Sequence, residues 1–257
     1  MTLRVAKIGP GATVQDGGRR GRMHEGVPQG GALVPELLAR TNRAIGNDPR
    51  APAIELPLHG AQFVALEAMT ISIDGETRPI SAGEAIDVPS SRDAVRYVAL
   101  AGGVDVPEVL GGRGALLVAE LGRLLRAADE LRAVRREVVL GPESPLTVTG
   151  RIRVVRGPDA IDDASWERFV STTWRVSKDW SRTGLRLDGP ALPIRVADRR
   201  VAIPLVFGAI QLVASGQPVI LGPDHPTTGG YPVIAGVVSA DRGAAFAIRP
   251  GGELRFG

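Results

Sequence analysis

Glycine and proline punctuation limits this chain more than any other feature. Its 257 residues include 33 Gly and 20 Pro, which cut the apolar stretches into pieces of a few residues. Such spacing suits short strands joined by turns better than long helices. No apolar run approaches the roughly 20 residues that a membrane-spanning helix needs. The opening Met1-Thr2-Leu3-Arg4-Val5-Ala6-Lys7 has no long apolar core before a small-residue cleavage site, so no secretory signal is expected. With no Cys in the chain, disulfides, thiol nucleophiles and thiolate metal ligands are excluded together. A cytoplasmic location is the expectation, and the length allows one large domain or two small ones.

Charge excludes a further class. The formal net charge is only +3, and apart from Lys7 and Lys178 the cations are all Arg. They gather in small groups, Arg19/Arg20/Arg22, Arg132/Arg135/Arg136 and Arg195/Arg199/Arg200, interleaved with acids. A nucleic-acid binder shows a basic stripe and often aromatic stacking platforms. Aromatic residues make up 4% of this chain, so no nucleic-acid partner is expected, and no membrane partner either.

Alternation and turn residues place short strands at Leu3–Ile8, Ala53–Leu56, Gln62–Leu66, Met69–Ile73, Glu84–Val88 and Val95–Leu100. Further strands are expected at Trp174–Ser177, Leu185–Leu187, Arg195–Ile203, Ala209–Val213, Val219–Leu221, Val233–Val238, Ala245–Ile248 and Glu253–Phe256. A helix is expected from Pro35 to Ile45, with Pro in its first turn and Gly46-Asn47 at its end. Another starts on Asp162 as N-cap and carries Trp166, Phe169 and Val170 on one face. Ala115 to Val134 is rich in helix formers. Yet Ala127-Ala128-Asp129-Glu130-Leu131 repeats the turn-then-alternation of Ala82-Gly83-Glu84-Ala85-Ile86 and Pro250-Gly251-Gly252-Glu253-Leu254. Leu124–Val134 is therefore read as turn and strand. Strands this short and evenly spaced point to a mainly β fold, barrels or sandwiches. The recurrence suggests two related units, 1–141 and 142–257, divided near Gly141-Pro142.

Familiar catalytic signatures are absent: no phosphate loop, no dinucleotide fingerprint, no Gly-x-Ser-x-Gly elbow. Three His, at 24, 59 and 225, show no metal-ligand spacing, so no metal site is expected. Three polar stretches remain. In Gln15-Asp16-Gly17-Gly18-Arg19, turn N–H groups and Arg19 can hold an anion, or Asp16 can bond its own backbone in a plain turn. In Ser181-Arg182-Thr183-Gly184-Leu185-Arg186, two Arg can clamp an anionic substrate or pair with surface acids. The densest stretch joins Gln211 and Gln217 to Asp224-His225-Pro226-Thr227-Thr228-Gly229-Gly230-Tyr231. It reads as a ligand loop or as an elaborate connection in which Asp224 caps local N–H groups.

These stretches also carry a resemblance. Thr13 to Arg19, Gly46-Asn47 with Glu55, Tyr97 to Pro107, Ser181 to Leu187, Gly208 to Gln211, Gly216-Gln217-Pro218 and Asp224 to Pro232 follow in an order that resembles one family. That family contains the C subunit of 5-oxoprolinase, allophanate hydrolase subunit 2, the antagonist of a sporulation-kinase inhibitor and the carboxyltransferase-like part of urea amidolyase. The resemblance implies two cyclophilin-like β-barrel units with a few short helices. It also implies a subunit of an ATP-dependent complex that opens 5-oxoproline to L-glutamate, a chain inactive by itself. Its companion would be of the type of the 5-oxoprolinase B subunit or allophanate hydrolase subunit 1, with a third subunit for 5-oxoprolinase. ATP with Mg2+ would be supplied in the assembled complex, where phosphorylating the lactam oxygen makes the ring carbon electrophilic. Arg182, Asp224 and Thr228 are then the catalytic candidates. Gln15, Asp16, Arg19, Arg186, Gln211, Gln217, Thr227, Gly229, Gly230 and Tyr231 would bind substrate or ATP. Other members imply a regulatory module engaging a companion, or an allophanate- or urea-directed amide hydrolase. The chain departs from the family at Val34, where an Asp is common, at Gly111-Gly112-Arg113-Gly114-Ala115, and at Thr183.

Overall fold

The computed structural model describes residues 1–135, 137, 140–141, 151–159, 161–193 and 201–257. Pro142, Arg136, Arg195, Arg199, Arg200 and most of the strand expected at Arg195–Ile203 lie outside these residues. The chain divides into two compact units, Met1–Arg22 with Gly30–Thr147, and Met23–Gln29 with Val148–Gly257.

In the first unit the elements are β1 (Thr2–Ile8), β2 (Thr13–Gln15), α1 (Pro35–Ala44), β3 (Ala53–Pro57), β4 (Ala61–Ala65), β5 (Met69–Ile73), β6 (Glu76–Ile80), β7 (Ala85–Val88), β8 (Val95–Leu100) and β9 (Glu130–Arg132). They form two sheets, β7-β4-β1-β9 and β2-β3-β8-β5-β6. Alternation decides what each sheet buries. Leu3, Val5, Phe63, Ile86 and Leu131 of the first sheet share one apolar core with Val14, Ile54, Ile71 and Val98 of the second. Helix α1 begins on Pro35 and buries Leu37, Leu38, Thr41 and Ala44. Gly46 ends it in the left-handed region at φ 67°.

The Ala115–Val134 conflict resolves in favour of tertiary packing. Ala128 turns the chain at φ 72°, and Leu131 then pairs with Leu3 across β1 and β9. Burying Leu131 in the sheet core outweighs a local helix preference of a few tenths of a kcal/mol per residue. The three recurring turns share one geometry. Gly83 at φ 82°, Ala128 at φ 72° and Gly251 at φ 86° each precede a strand.

The second unit holds β10 (Arg151–Ile152), β11 (Val154–Arg156), α2 (Asp163–Ser171), β12 (Trp174–Trp180), β13 (Gly184–Asp188), β14 (Ile203–Pro204), β15 (Ala209–Leu212), β16 (Pro218–Leu221), β17 (Thr228–Gly229), β18 (Val233–Val237), α3 (Arg242–Ala247) and β19 (Glu253–Phe256). Eight strands run in the order β10-β19-β12-β13-β16-β15-β18-β11. The two end strands are successive pieces of one stretch. Arg151 and Ile152 pair with β19, and Val154 to Arg156 pair with β18. The sheet therefore curls into a nearly closed barrel. Asp162 caps α2 through the Ser165 N–H at 2.8 Å. Phe169 of that helix stacks on Phe256 at 4.4 Å between ring centres, and buried Trp174 donates its indole N–H to the Phe169 carbonyl at 2.9 Å. One expectation needs correction: Ala245–Ile248 is not a strand, because Ala245 to Ala247 close helix α3. A short apolar run carries no period of its own, and its alanines favour helix once buried all round.

Candidate functional site

The first polar stretch follows β2. Asp16 accepts the Gly18 N–H through Oδ1 at 2.9 Å and the Arg113 N–H through Oδ2 at 2.7 Å. Arg19 points inward with 2% of its surface exposed, its Nε donating to the Val109 carbonyl at 3.0 Å and its Nη2 to that of Gly114 at 2.9 Å. Gln15 donates through Nε2 to Thr13 Oγ1 and to the Ala115 carbonyl, both at 3.0 Å. Together Gln15, Asp16 and Arg19 clasp the Val109–Ala115 segment, the plain-turn geometry weighed for Asp16. Beside the clasp opens a cavity of about 360 Å³ lined by Gly17, Gly18, Arg20, Arg50, Glu108 and Arg113 among others. The Gly17 N–H donates to the Arg50 carbonyl and the Gly112 N–H to that of Val109. Most backbone donors of an anion nest are thus already bonded within the chain.

Glu55, Tyr97 and Asn47 acquire roles that residue patterns did not assign. Glu55 is fully buried on β3. Its Oε2 accepts the Leu33 N–H at 2.9 Å and the Tyr97 hydroxyl at 2.5 Å, while that hydroxyl oxygen accepts the Val34 N–H at 3.2 Å. The two residues that lead into α1 are thereby anchored to two strands, with a carboxyl near the helix N-terminus where the dipole favours one. Asn47 donates to the Leu100 carbonyl at 2.8 Å and accepts the Gly102 N–H at 2.6 Å. A charged residue inside the apolar strand Ala53-Ile54-Glu55-Leu56-Pro57 was the available signal, since a buried carboxyl requires partners.

In the second unit the remaining candidates share one loop system, except Arg186 and Gln217. Arg182 holds Asp224 in a bidentate pair, Nε to Oδ2 at 2.8 Å and Nη2 to Oδ1 at 2.9 Å. Their side chains are 12% and 3% exposed. The Asp224 N–H also donates to the Arg182 carbonyl at 3.1 Å and the Gly222 N–H to that of Thr183 at 2.9 Å. A Cβ on Gly222 would sit 2.1 Å from the Arg182 carbonyl oxygen, so the crossing of these segments requires glycine. His225 is fully buried and its Nδ1 lies 2.7 Å from the Pro226 carbonyl. A carbonyl only accepts, so Nδ1 carries the proton and Nε2 is left as a buried lone pair without a partner among the described residues. Burial pushes this imidazole below the ordinary His range, against the pull of Asp224.

Beyond this anchor the loop turns outward. Thr228 and Gly229 pair with Pro204 and Ile203, and Gln211 donates to the Tyr231 carbonyl at 3.4 Å. Thr227 is half-buried, whereas Thr228, Gly230 and Tyr231 are exposed. The hydroxyls of Thr228 and Tyr231 face solvent with no partner among the described residues. Arg186 stands exposed on β13 opposite Val219. Gln217 lies apart, donating to the Gly189 carbonyl at 3.1 Å. The site is therefore a buried Arg–Asp anchor carrying an outward array of hydroxyl, phenol and backbone groups.

These features define a mainly β protein of two cyclophilin-like units with a few short helices, bearing a rigidly seated polar loop. Residues 25–257 match the carboxyltransferase domain, subdomain A and B, and the chain belongs to that family. It is 35% identical to the C subunit of 5-oxoprolinase from Escherichia coli, over 93% of this chain and 85% of that protein. It is 28% identical to urea amidolyase of Lachancea kluyveri, over 96% of this chain but 16% of that much longer protein. Among solved structures, TTHA0988 superimposes with a TM-score of 0.87 at 28% identity, covering 100% of this chain and 55% of that one. Among the described residues no helix is long and apolar enough to cross a membrane.

Proposed function

We propose that this chain is a subunit of a cytoplasmic, ATP-dependent complex that opens 5-oxoproline to L-glutamate. The observation that carries the reading is the likeness to the 5-oxoprolinase C subunit along 93% of the chain. The companion is of the type of the 5-oxoprolinase B subunit or allophanate hydrolase subunit 1, joined by a third subunit. Within the complex this chain contributes the outward groups of the second-unit loop. Thr228 and Tyr231 offer hydroxyls and Gly230 a bare backbone; Arg186, outside that loop on β13, adds a cation that suits a carboxylate. Arg182, Asp224, His225 and Gln211 position that loop. ATP with Mg2+ fits this chain poorly. A triphosphate needs several uncommitted cationic and N–H donors, whereas Arg19 binds carbonyls, Arg182 binds Asp224, and the Gly17 and Gly18 N–H groups bond within their own unit. The nucleotide accordingly belongs with a companion subunit.

Loop variants in the co-purified complex test the reading. Thr228→Val and Tyr231→Phe should lower 5-oxoproline turnover at least tenfold while the complex keeps its composition on size exclusion. Full turnover in both variants would remove the loop from the reaction. A second reading, an amide of the urea or allophanate type, draws on the likeness to urea amidolyase over 96% of the chain. The same preparations assayed with those amides distinguish the two.

A further inference from the structure

A second candidate site lies wholly within the first unit, on the outward face of its four-stranded sheet. Cross-strand registry puts Lys7 opposite Gln62 and Gln62 opposite Asp87. Directly opposed residues project from the same face. Neighbouring rows send Ile86, Phe63 and Val5 into the core, so Lys7, Gln62 and Asp87 form one outward polar row. It ends at a cavity of about 410 Å³ that His59 also lines. None of these four side chains makes a hydrogen bond or ion pair among the described residues.

Local backbone puts His59 there. Leu58, just before it, stands at φ 60°, a conformation that costs a non-glycine residue about 1 kcal/mol. A Cβ on Gly9 would lie 2.2 Å from the His59 Cβ, so the turn seats against bare backbone. Strain of this kind is retained where the surrounding structure has a use for it. Lys7 and Asp87 stand two strand spacings apart, roughly 10 Å. That is too far for a direct pair between straight side chains, and it leaves the Gln62 amide between opposite charges, with the His59 imidazole on the same cavity.

We propose that this cavity binds a free α-amino acid. Asp87 takes its ammonium and Lys7 its carboxylate, while Gln62 and His59 hydrogen-bond a polar side chain. The volume falls in the range of small-ligand sites, and one cation and one carboxylate on the same row complement a zwitterion.

The test is titration of the purified full chain with L-glutamate, followed by two-dimensional NMR, with acetate and ethylammonium as separate probes. Saturable shifts confined to residues around 7–9, 59–62 and 87–89 are expected with L-glutamate, and much weaker ones with either fragment. Lys7→Met and Asp87→Asn should each weaken binding at least tenfold, and His59→Ala about threefold, with unchanged thermal midpoints because all three residues are exposed. Absence of saturable shifts at this row overturns the proposal. So does equal binding of acetate, which marks a plain anion site, or binding indifferent to Lys7 and Asp87.

Discussion

Replacing Arg182 with Ala should loosen the loop that carries Thr228 and Tyr231 before it touches any chemistry. The pair is bidentate at 2.8 and 2.9 Å, and its Asp224 side chain is 3% exposed. Removing one partner of a buried pair leaves an uncompensated charge and costs about 3–5 kcal/mol, whereas exposed ion pairs are worth about 0–1 kcal/mol. Because Arg182 keeps 12% exposure, the lower end, about 3 kcal/mol, is expected. Asp224→Ala should cost a similar amount. Arg182→Met combined with Asp224→Leu should recover most of it, since apolar replacement of a whole pair is often neutral. The assay is denaturant unfolding followed by tryptophan fluorescence, and it isolates the relevant unit, because Trp166, Trp174 and Trp180 are the chain's three tryptophans and all belong to the second unit. Single variants within about 0.5 kcal/mol of the parent, at unchanged slope, would show an ion pair behaving as a surface one and refute the anchor.

Three further outcomes follow from the geometry. Ala128→Gly should stabilise the first unit by about 0.5–1 kcal/mol in calorimetry, as glycine relieves the left-handed strain at φ 72°; a loss of stability would contradict that backbone assignment. Tyr97→Phe removes the acceptor of the Val34 N–H and a donor to Glu55, and should cost about 1–3 kcal/mol, with faster amide exchange in the first turn of α1. His225 has a folded pKa below the ordinary value, so between the two values the unfolded chain binds more protons and stability rises with pH. Its contribution is complete above about pH 6.5 and fades as pH falls through the lowered folded value; His225→Gln should flatten the fluorescence-detected stability between about pH 7.5 and 5.5.

Local signals carried much of the fold. The strands Met69–Ile73, Val95–Leu100 and Glu253–Phe256 start and stop where alternation and turn residues place them. Pro35 and Asp162 marked their helices for stereochemical reasons that act within a single turn. Long-range chemistry was less legible. Arg182 and Asp224 are 42 residues apart, and nothing local reveals that each satisfies the other. Arg19 reads as an anion-holding cation for the same reason, since its carbonyl partners lie 90 and 95 residues further along. Thr13–Gln15 is absent from the expected strands because it runs directly into the polar stretch Asp16–Arg19, yet all three residues are buried in a strand, where Gln15 meets the Ala115 carbonyl. Polarity alone does not distinguish a group that faces a ligand from one that holds a loop.

We propose that opening 5-oxoproline requires this chain. The direct measurement is 5-oxoproline-dependent ATP hydrolysis by the proteins encoded beside it, co-expressed with and without this chain. Glutamate and ADP released in equal amounts with the chain, and neither without it, is the predicted result. Undiminished turnover in its absence, or a stable complex with no turnover when it is present, would overturn that requirement.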